Sequence, residues 1–365
     1  MVSQHIGQRE PALDGIRGFA ALAVVATHLC VSFGLLPYAP LGSIGVTVFF
    51  VLSGYLISRM WYRRDYSSHS YRQFIRRRMV RLIPAVMALT LIGGSALVAF
   101  GGSPAALAAR DAALALSQLT AFASAFGSRP HPSFDPTWSL TVEWTFYLVF
   151  PLVLGLVRRR VFRPPIAKVL AAIAVVLYAV GLPMSFEAFY LLPVANLGVM
   201  FAGAALGAWH SERTEPLSSD RARTVMAMGT LGVLAVLPGY TLSWSWKLAV
   251  MPAAALAALA LIHGVVAGDR ATAVLGTRLV SGVGRGAYSL YLWHMPVMWL
   301  VWFNTQGTNN WLQAAVACLG IAAVSALSYG ALERPVLLTG DARSPSLGSR
   351  FGGSSRHASP SNARL

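Results

Sequence analysis

Long apolar segments separated by short polar connections fill most of this chain. Ten of them are apolar enough to predict membrane-spanning helices, because a helix needs about 20 largely apolar residues to cross a bilayer. The segments are residues 15–36, 42–60, 83–101, 138–157, 167–183, 189–209, 225–240, 246–267, 287–304 and 311–332. The pattern therefore predicts an all-α fold, a polytopic transmembrane helix bundle of about ten spans.

One further apolar stretch, residues 105–126, does not fit this scheme. Arg110 and Asp111 interrupt it, and counting it as a span would move the basic cluster after residue 157 to the opposite side of the membrane. We therefore predict that it forms an interfacial or re-entrant helix on the outer face.

Positive charge predicts the orientation of the bundle. Of 29 Lys and Arg residues, all except Arg110, Arg129 and Lys247 fall on one side of the predicted topology. Cytoplasmic loops of membrane proteins carry the excess of Lys and Arg, so this side is predicted to be cytoplasmic. An even number of spans then places both termini in the cytoplasm, in a multi-pass protein of the cytoplasmic (inner) membrane.

Composition excludes other classes of protein. The chain is 56% hydrophobic and 12% charged, whereas about 25% of residues are charged in soluble domains. The net charge of +16 follows from membrane topology, since a basic nucleic-acid-binding protein would not be this apolar. The expected partner is therefore the lipid bilayer and not a nucleic acid, and the sequence gives no indication of the oligomeric state.

The chain is predicted to contain one folded domain. Residues 1–340 form the membrane bundle, and residues 341–365, rich in Ser, Gly and Arg, form a disordered basic cytoplasmic tail. Cys30 and Cys318 fall in apolar spans, so we expect neither a disulfide framework nor a metal site.

Two ionisable residues within the first span are the first functional candidates. Such groups are costly in a bilayer core, by about 2.5 kcal/mol or more for Arg. Arg17 and His28 are separated by about three helical turns, so they share one face and lie about 16 Å apart along the axis. A permanent cation near one membrane surface and a titratable imidazole deeper inside suit an anionic ligand that must reach a proton acceptor.

Four further polar groups lie within or beside the predicted spans. They are Arg78 and Arg81 before the third span, Ser53 and Tyr55 in the second, Trp138, Ser139 and Glu143 in the fourth, and Tyr288, Ser289 and His294 in the ninth. Two arginines at i and i+3 share a helix face and suit phosphate binding, although topology alone also places arginines beside a span. Small residues such as Ser53 equally allow close helix packing, and tryptophans equally form an aromatic belt at the membrane surface.

Together, these motifs resemble acyltransferase family 3, the integral-membrane O-acyltransferases that modify cell-surface glycans and some small hydroxylated molecules. The resemblance covers about residues 10–335. It rests on the following segments, in this order: Leu13-Asp14-Gly15 with Arg17 and His28, Phe49-Phe50-Val51-Leu52-Ser53-Gly54-Tyr55, Arg78-x-x-Arg81, Trp138-Ser139-Leu140-x-x-Glu143, Tyr288-Ser289-Leu290-Tyr291-Leu292-x-His294-x-Pro296, and Leu332-Glu333-Arg334-Pro335.

The resemblance implies roles for the matched positions. His28 matches the catalytic histidine, and Glu143 is taken as a second catalytic candidate. The three arginines, Arg17, Arg78 and Arg81, match residues thought to engage the acyl donor, usually acetyl-CoA. Candidates for lining an acceptor site or channel are Asp14, Ser53, Tyr55, Trp138, Ser139, Tyr288, Ser289 and His294. Acetyl-CoA, or another acyl-CoA, would be a co-substrate, with no permanently bound cofactor and no metal. The fused periplasmic hydrolase-like domain of some members is not expected here.

The implied reaction moves an acyl group, most simply acetyl, from cytoplasmic acyl-CoA to a hydroxyl of a glycan. His28 would act as the general base, and Asp14 or Glu143 would be available either to orient its imidazole or to neutralise an arginine. Direct transfer and a covalent acyl-histidine intermediate are both compatible with these residues. The acceptor stays open between lipopolysaccharide, another surface polysaccharide and a small macrolide-like molecule. A transporter of an acylated or anionic metabolite is the alternative, because it needs the same intramembrane charges.

Overall fold

The computed structural model describes residues 10–35, 41–62, 66–159, 165–213, 246–268 and 270–342. Within these ranges the chain forms helices and connecting turns, and no strand. The predicted all-α helix bundle is confirmed.

The helices differ widely in length. In the first half they are α1 (Pro11–Ser32), α2 (Leu41–Tyr62), α3 (Ser68–Phe100), α4 (Ala105–Leu116), α5 (Thr120–Ala125) and α6 (Trp138–Arg158). In the second half they are α7 (Ile166–Gly181), α8 (Phe186–Leu191), α9 (Pro193–Glu212), α10 (Trp246–Val266), α11 (Arg278–Arg285), α12 (Ala287–Asn304), α13 (Asn310–Ser328) and α14 (Arg334–Ala342). A 3₁₀ turn, Pro132–Thr137, leads into α6, and a π-helical turn, Tyr329–Glu333, joins α13 to α14.

Most of the predicted spans are present as helices. Seven helical segments of the described chain are long and apolar enough to cross a membrane, which makes this a multi-pass membrane protein. The fifth predicted span corresponds to α7, which has only 16 residues. The ninth corresponds to α12, which has 18 residues but a lower mean hydropathy because it carries several aromatic side chains and His294. The predicted span 225–240 lies outside the described residues, so the total of ten stays a prediction.

Residues 105–126 form the two short helices α4 and α5 instead of a span. Gln118, between them, has a left-handed backbone conformation with φ of 59°. The buried carboxylate of Asp111 accepts hydrogen bonds from the Arg110 guanidinium and, at 2.7 Å, from the backbone N–H of His131. This helical hairpin is therefore fastened to the segment that leads into α6.

Glycines allow α2 and α9 to pack at very short distance. A Cβ on Gly54 would lie 1.9 Å from the backbone oxygen of Met200, and one on Gly203 would lie 2.0 Å from that of Val51. No side chain fits at either position unless the helices separate. Gly54 thus serves helix packing, whereas its neighbour Ser53 faces the cavity described below.

The helices that carry the ionisable residues meet at one place in the bundle. α1 lies against α2, α11 and α12, and α3 lies beside α6 and α12. Tyr288 donates a hydrogen bond to the backbone oxygen of Leu82 at 3.0 Å, and Trp299 donates one to that of Gly101 at 3.0 Å. α3 and α12 therefore run in the same direction, as the predicted topology requires of the third and ninth spans.

Residues 341–365 were predicted to form a disordered tail. α14 extends to Ala342, and residues 343–365 lie outside the described residues.

Candidate active site

A cavity lies where α1, α2, α3, α6 and α12 meet, with about 670 Å³ of space between atoms that includes open solvent. Seven of the residues singled out in the sequence line it: Arg17, Ser53, Arg78, Arg81, Ser139, Glu143 and Tyr288. Its remaining polar lining consists of Tyr147 and Tyr291. The structure thus collects residues from five separate segments of the chain around one space.

Three arginines give this cavity its cationic character. Arg17 donates a hydrogen bond to Asp14 at 3.0 Å. The guanidinium of Arg78 lies 5.1 Å from the ring centroid of Tyr147, a cation–π distance. The Nε of Arg81 is buried and has no hydrogen-bond partner among the described residues. The i, i+3 spacing of Arg78 and Arg81 brings both to the cavity, as the sequence predicted.

A pair of histidines lies beside the cavity. Nδ1 of His28 is 3.0 Å from Nε2 of His294, and the two rings are stacked with centroids 5.0 Å apart. His294 is fully buried, and its Nδ1 lies 2.6 Å from the backbone oxygen of Tyr291. These contacts join α1 to α12.

The hydrogen bonds of this pair assign the proton positions. A carbonyl oxygen only accepts, so Nδ1 of His294 carries a hydrogen and donates it to Tyr291. In a neutral ring, Nε2 of His294 then accepts, and Nδ1 of His28 must be the donor. Nε2 of His28 is left with an unprotonated lone pair, which is the form that a general base requires.

Tyr291 connects the cavity with the histidine pair. Its side chain lines the cavity, and its ring centroid lies 5.7 Å from that of His294 and 6.2 Å from that of Phe49. Neither His28 nor His294 belongs to the lining of this cavity. Tyr291 is therefore in contact with both parts of the site.

The carboxylates of Asp14 and Glu143 are hydrogen-bonded to residues other than the histidines. Asp14 accepts a hydrogen bond from Arg17, and Glu143 accepts one from Tyr147 at 2.7 Å. Neither is hydrogen-bonded to His28, whose partner is His294. Of the two alternatives left open by the sequence, Asp14 therefore neutralises an arginine, Arg17, and neither carboxylate orients the imidazole, because α1 presents its histidine to α12 and not to α6.

The other predicted lining residues lie elsewhere. Tyr55 accepts a hydrogen bond from Arg59 at 2.9 Å and contacts His210 at 3.1 Å, on another face of α2. The ring of Trp138 packs between those of Phe50 and Tyr190. The structure places neither on the cavity wall.

Ser289 leads to a residue to which the sequence assigned no role. Its hydroxyl contacts Ser328 at 3.0 Å and donates to Oε1 of Glu333. Glu333 is fully buried in the π-helical turn, and its Oε2 has no hydrogen-bond partner among the described residues. Single π-helical turns often occur at functional sites. The sequence signal for Glu333 was its place in the segment Leu332-Glu333-Arg334-Pro335.

Tyr147 and Tyr291 also line the cavity, and sequence reasoning missed both. Their sequence signal was weak: Tyr147 lies one helical turn from Glu143, and Tyr291 lies one helical turn from His294.

Three relatives that are named as acyltransferases support the family resemblance. Over 361 residues, the chain is 26% identical to the peptidoglycan O-acetyltransferase OatA of Listeria monocytogenes, covering 90% of this chain and 56% of the relative. It is 26% identical over 357 residues to the O-acetyltransferase OatA of Staphylococcus aureus, covering 89% and 57%. It is 36% identical over 171 residues to the acyltransferase MdmB of Streptomyces mycarofaciens, covering 41% of each chain. The chain thus spans about half the length of these relatives.

No solved structure matches the chain significantly. A family model does match: that of acyltransferase family 3, described as an acyltransferase domain, fits residues 10–330. The match includes every residue of the cavity and the histidine pair, and the chain belongs to acyltransferase family 3.

Proposed function

We propose that this protein is an O-acyltransferase that moves an acyl group from cytoplasmic acyl-CoA to a hydroxyl of a glycan at the outer side of the membrane. The observation that carries the proposal is the connection between two chemically different parts of the site. A cavity lined by three arginines adjoins, through Tyr291, a histidine pair with one basic nitrogen.

The arginines suit the donor. The nucleotide of acyl-CoA carries several phosphate charges, and Arg17, Arg78 and Arg81 offer planar guanidiniums that bind phosphate through paired hydrogen bonds. The arm that carries the thioester then extends from the nucleotide towards His28. Arg17 and His28 are about 16 Å apart along α1, a length similar to that of this arm.

The histidine pair suits the chemistry. Nε2 of His28 takes the proton of the acceptor hydroxyl while the oxygen attacks the thioester carbonyl carbon. The carbon–sulfur bond breaks, and the leaving thiolate takes the proton back from His28. His294 holds the imidazole in the required tautomer and stabilises the imidazolium that forms in between. The same Nε2 would also be the attacking atom in a relay through acyl-histidine.

The acceptor class is proposed from the relatives. The Listeria relative is named a peptidoglycan O-acetyltransferase, so a glycan of the cell envelope is the first acceptor to test. The name of the Streptomyces relative specifies no acceptor, and a small hydroxylated molecule is the second acceptor to test.

Transfer by the purified protein tests the proposal. The protein in lipid nanodiscs receives acetyl-CoA labelled in the acetyl group together with soluble peptidoglycan fragments. Released CoA-SH and labelled glycan should appear in equal amounts. H28A should reduce both by about 10²-fold or more, whereas H69A, which removes an exposed histidine of α3, should retain both.

Two results would contradict the proposal. One is the absence of CoA-SH release with the glycan fragments and with small hydroxylated acceptors. The other is uptake of label into sealed vesicles without CoA-SH release, which would indicate a transporter instead.

A further inference from the structure

We infer that Tyr291 is a gate between the donor cavity and the histidine pair, and that its side chain limits the size of the acyl group that reaches His28. The inference rests on the proposed function and extends it to donor selection. The arginine-lined cavity lies next to the histidine pair that carries the basic Nε2 of His28, yet neither histidine belongs to the cavity wall.

The Tyr291 side chain lies at the boundary between the two spaces. One part of its ring faces the cavity, beside the ring of Phe49. The same ring lies against that of His294, at a centroid distance of 5.7 Å. Only 8% of Tyr291 is exposed, so little space is left around the ring in this conformation. A thioester that enters from the arginine end must therefore displace this side chain to reach His28.

The backbone and the side chain of Tyr291 are held by different groups. Its carbonyl accepts the hydrogen bond from His294 and belongs to the rigid part of the site. Its hydroxyl donates to the backbone oxygen of Pro136 at 3.0 Å, in the turn that leads into α6. Its hydroxyl is also hydrogen-bonded to Ser139. The ring can therefore rotate away by breaking only neutral hydrogen bonds of its hydroxyl, and the histidine pair keeps its geometry meanwhile.

This arrangement predicts a size limit. The space that opens near His28 is the space that the ring vacates, because the surrounding residues of α1 and α12 are closely packed. A short acyl group fits there, and each additional methylene requires further displacement of packed side chains. Selectivity for short acyl groups then follows from the ring of Tyr291, whereas the arginines determine affinity for the nucleotide.

A labelling experiment tests the gate without relying on catalysis. In a background with Cys30 and Cys318 replaced by Ala, H28C is exposed to an anionic methanethiosulfonate reagent in nanodiscs. Labelling should be slow with Tyr291 present and at least about tenfold faster with Y291A. Y291F keeps the ring but loses the bond to Pro136, so it should raise the rate by about two- to tenfold.

Tyr288 provides the matched control. It lines the same cavity one turn earlier on α12, and its hydroxyl likewise donates to a backbone oxygen, that of Leu82. It makes no ring contact with the histidines among those described, so Y288A should leave the labelling rate of H28C within about twofold. Equal labelling rates with and without the Tyr291 ring, or equal acceleration by Y288A and Y291A, would overturn the gate.

A donor series tests the size limit. Acetyl-, butyryl- and hexanoyl-CoA are compared as donors by CoA-SH release, and Y291A should raise the hexanoyl-to-acetyl ratio of kcat/KM at least about tenfold, whereas Y288F should leave this ratio unchanged. If the wild-type protein uses acetyl-CoA and Y291A leaves the ratio unchanged, the size limit is wrong although the function stands. If the wild-type protein uses no acyl-CoA, the proposed function and the size limit fall together, and the labelling rates still decide the gate.

Discussion

Replacing His294 tests the proposed catalytic geometry most directly. H294F keeps a planar ring of similar size in the buried site but removes the acceptor for Nδ1–H of His28 and the donor to Tyr291. In the transition state His28 is protonated, so the lost hydrogen bond is a charged one and contributes about 1.5–3 kcal/mol. At about 1.4 kcal/mol for each factor of ten, kcat should fall by about 10- to 150-fold.

The change should be confined to the chemical step. His294 does not line the donor cavity, so the KM for acetyl-CoA should stay within about twofold. H294Q should recover much of kcat, because its amide oxygen can accept from His28. The double variant H28A/H294F should be no slower than H28A, since residues that act as one unit give non-additive losses.

The assay is initial-rate CoA-SH release by the protein in nanodiscs. H263F is the matched control, because His263 belongs to a second histidine pair with the same nitrogen–nitrogen distance of 3.0 Å and lies outside the candidate site. Its kcat should stay within about twofold of wild type. Normal kcat in H294F, or equal losses in H294F and H294Q, would refute the argument that His294 positions His28.

Four other outcomes are expected. R78A and R81A should each raise the KM for acetyl-CoA, and Lys at either position should restore it only in part, because a point charge does not reproduce paired phosphate contacts; calorimetric titration of the donor measures this. E333Q should leave donor binding within about twofold in the same titration, because Glu333 does not line the cavity and the amide oxygen of Gln can still accept the hydrogen bond of Ser289. Burial lowers the pKa of His131 in spite of Asp111, so protons favour the unfolded hairpin below about pH 6.5. Amide exchange in residues 105–131, corrected for intrinsic rates, should therefore rise as pH falls, and less so in H131N. A reporter fused after Leu365 should be active only in the cytoplasm, and periplasmic activity would show that the predicted topology is wrong.

The sequence predicted the features that depend on local periodicity. Apolar segments marked the helices, and the i, i+3 spacing of Arg78 and Arg81 placed both at one cavity. The interruption at Arg110 and Asp111 correctly excluded a span through residues 105–126, because a buried carboxylate needs partners that a lipid-facing helix does not offer. Each of these inferences involves residues within a few turns of one another.

Contacts between distant helices were beyond such reasoning. His28 and His294 are 266 positions apart, and only the packing of α1 on α12 shows that they meet. Apolar periodicity also does not distinguish a side chain that faces lipid from one that faces a cavity, so Tyr55 was predicted to line the site and Tyr291 was not, whereas the structure shows the reverse. Glu333 was missed for the same reason: only the folded bundle shows that it is buried and that its Oε2 has no hydrogen-bond partner among the described residues.

The two histidine pairs show why the direction of hydrogen bonding matters as much as distance. Arg59 donates to the Tyr55 oxygen, and that oxygen lies 3.1 Å from Nδ1 of His210. Nε2 of His210 lies 3.0 Å from Nδ1 of His263, and either ring can be the donor because the Tyr55 hydroxyl can itself donate or accept.

The second chain ends at this hydroxyl, so its hydrogen bonds do not determine which ring nitrogens are protonated. The chain at His28 ends at a permanent acceptor, the carbonyl of Tyr291, and every donor in it points towards that carbonyl. The unprotonated nitrogen is thereby left at the opposite end, on His28. The backbone carbonyl of Tyr291 therefore assigns the protons of the His28 pair, because a carbonyl oxygen only accepts, whereas a hydroxyl, which both donates and accepts, assigns no direction.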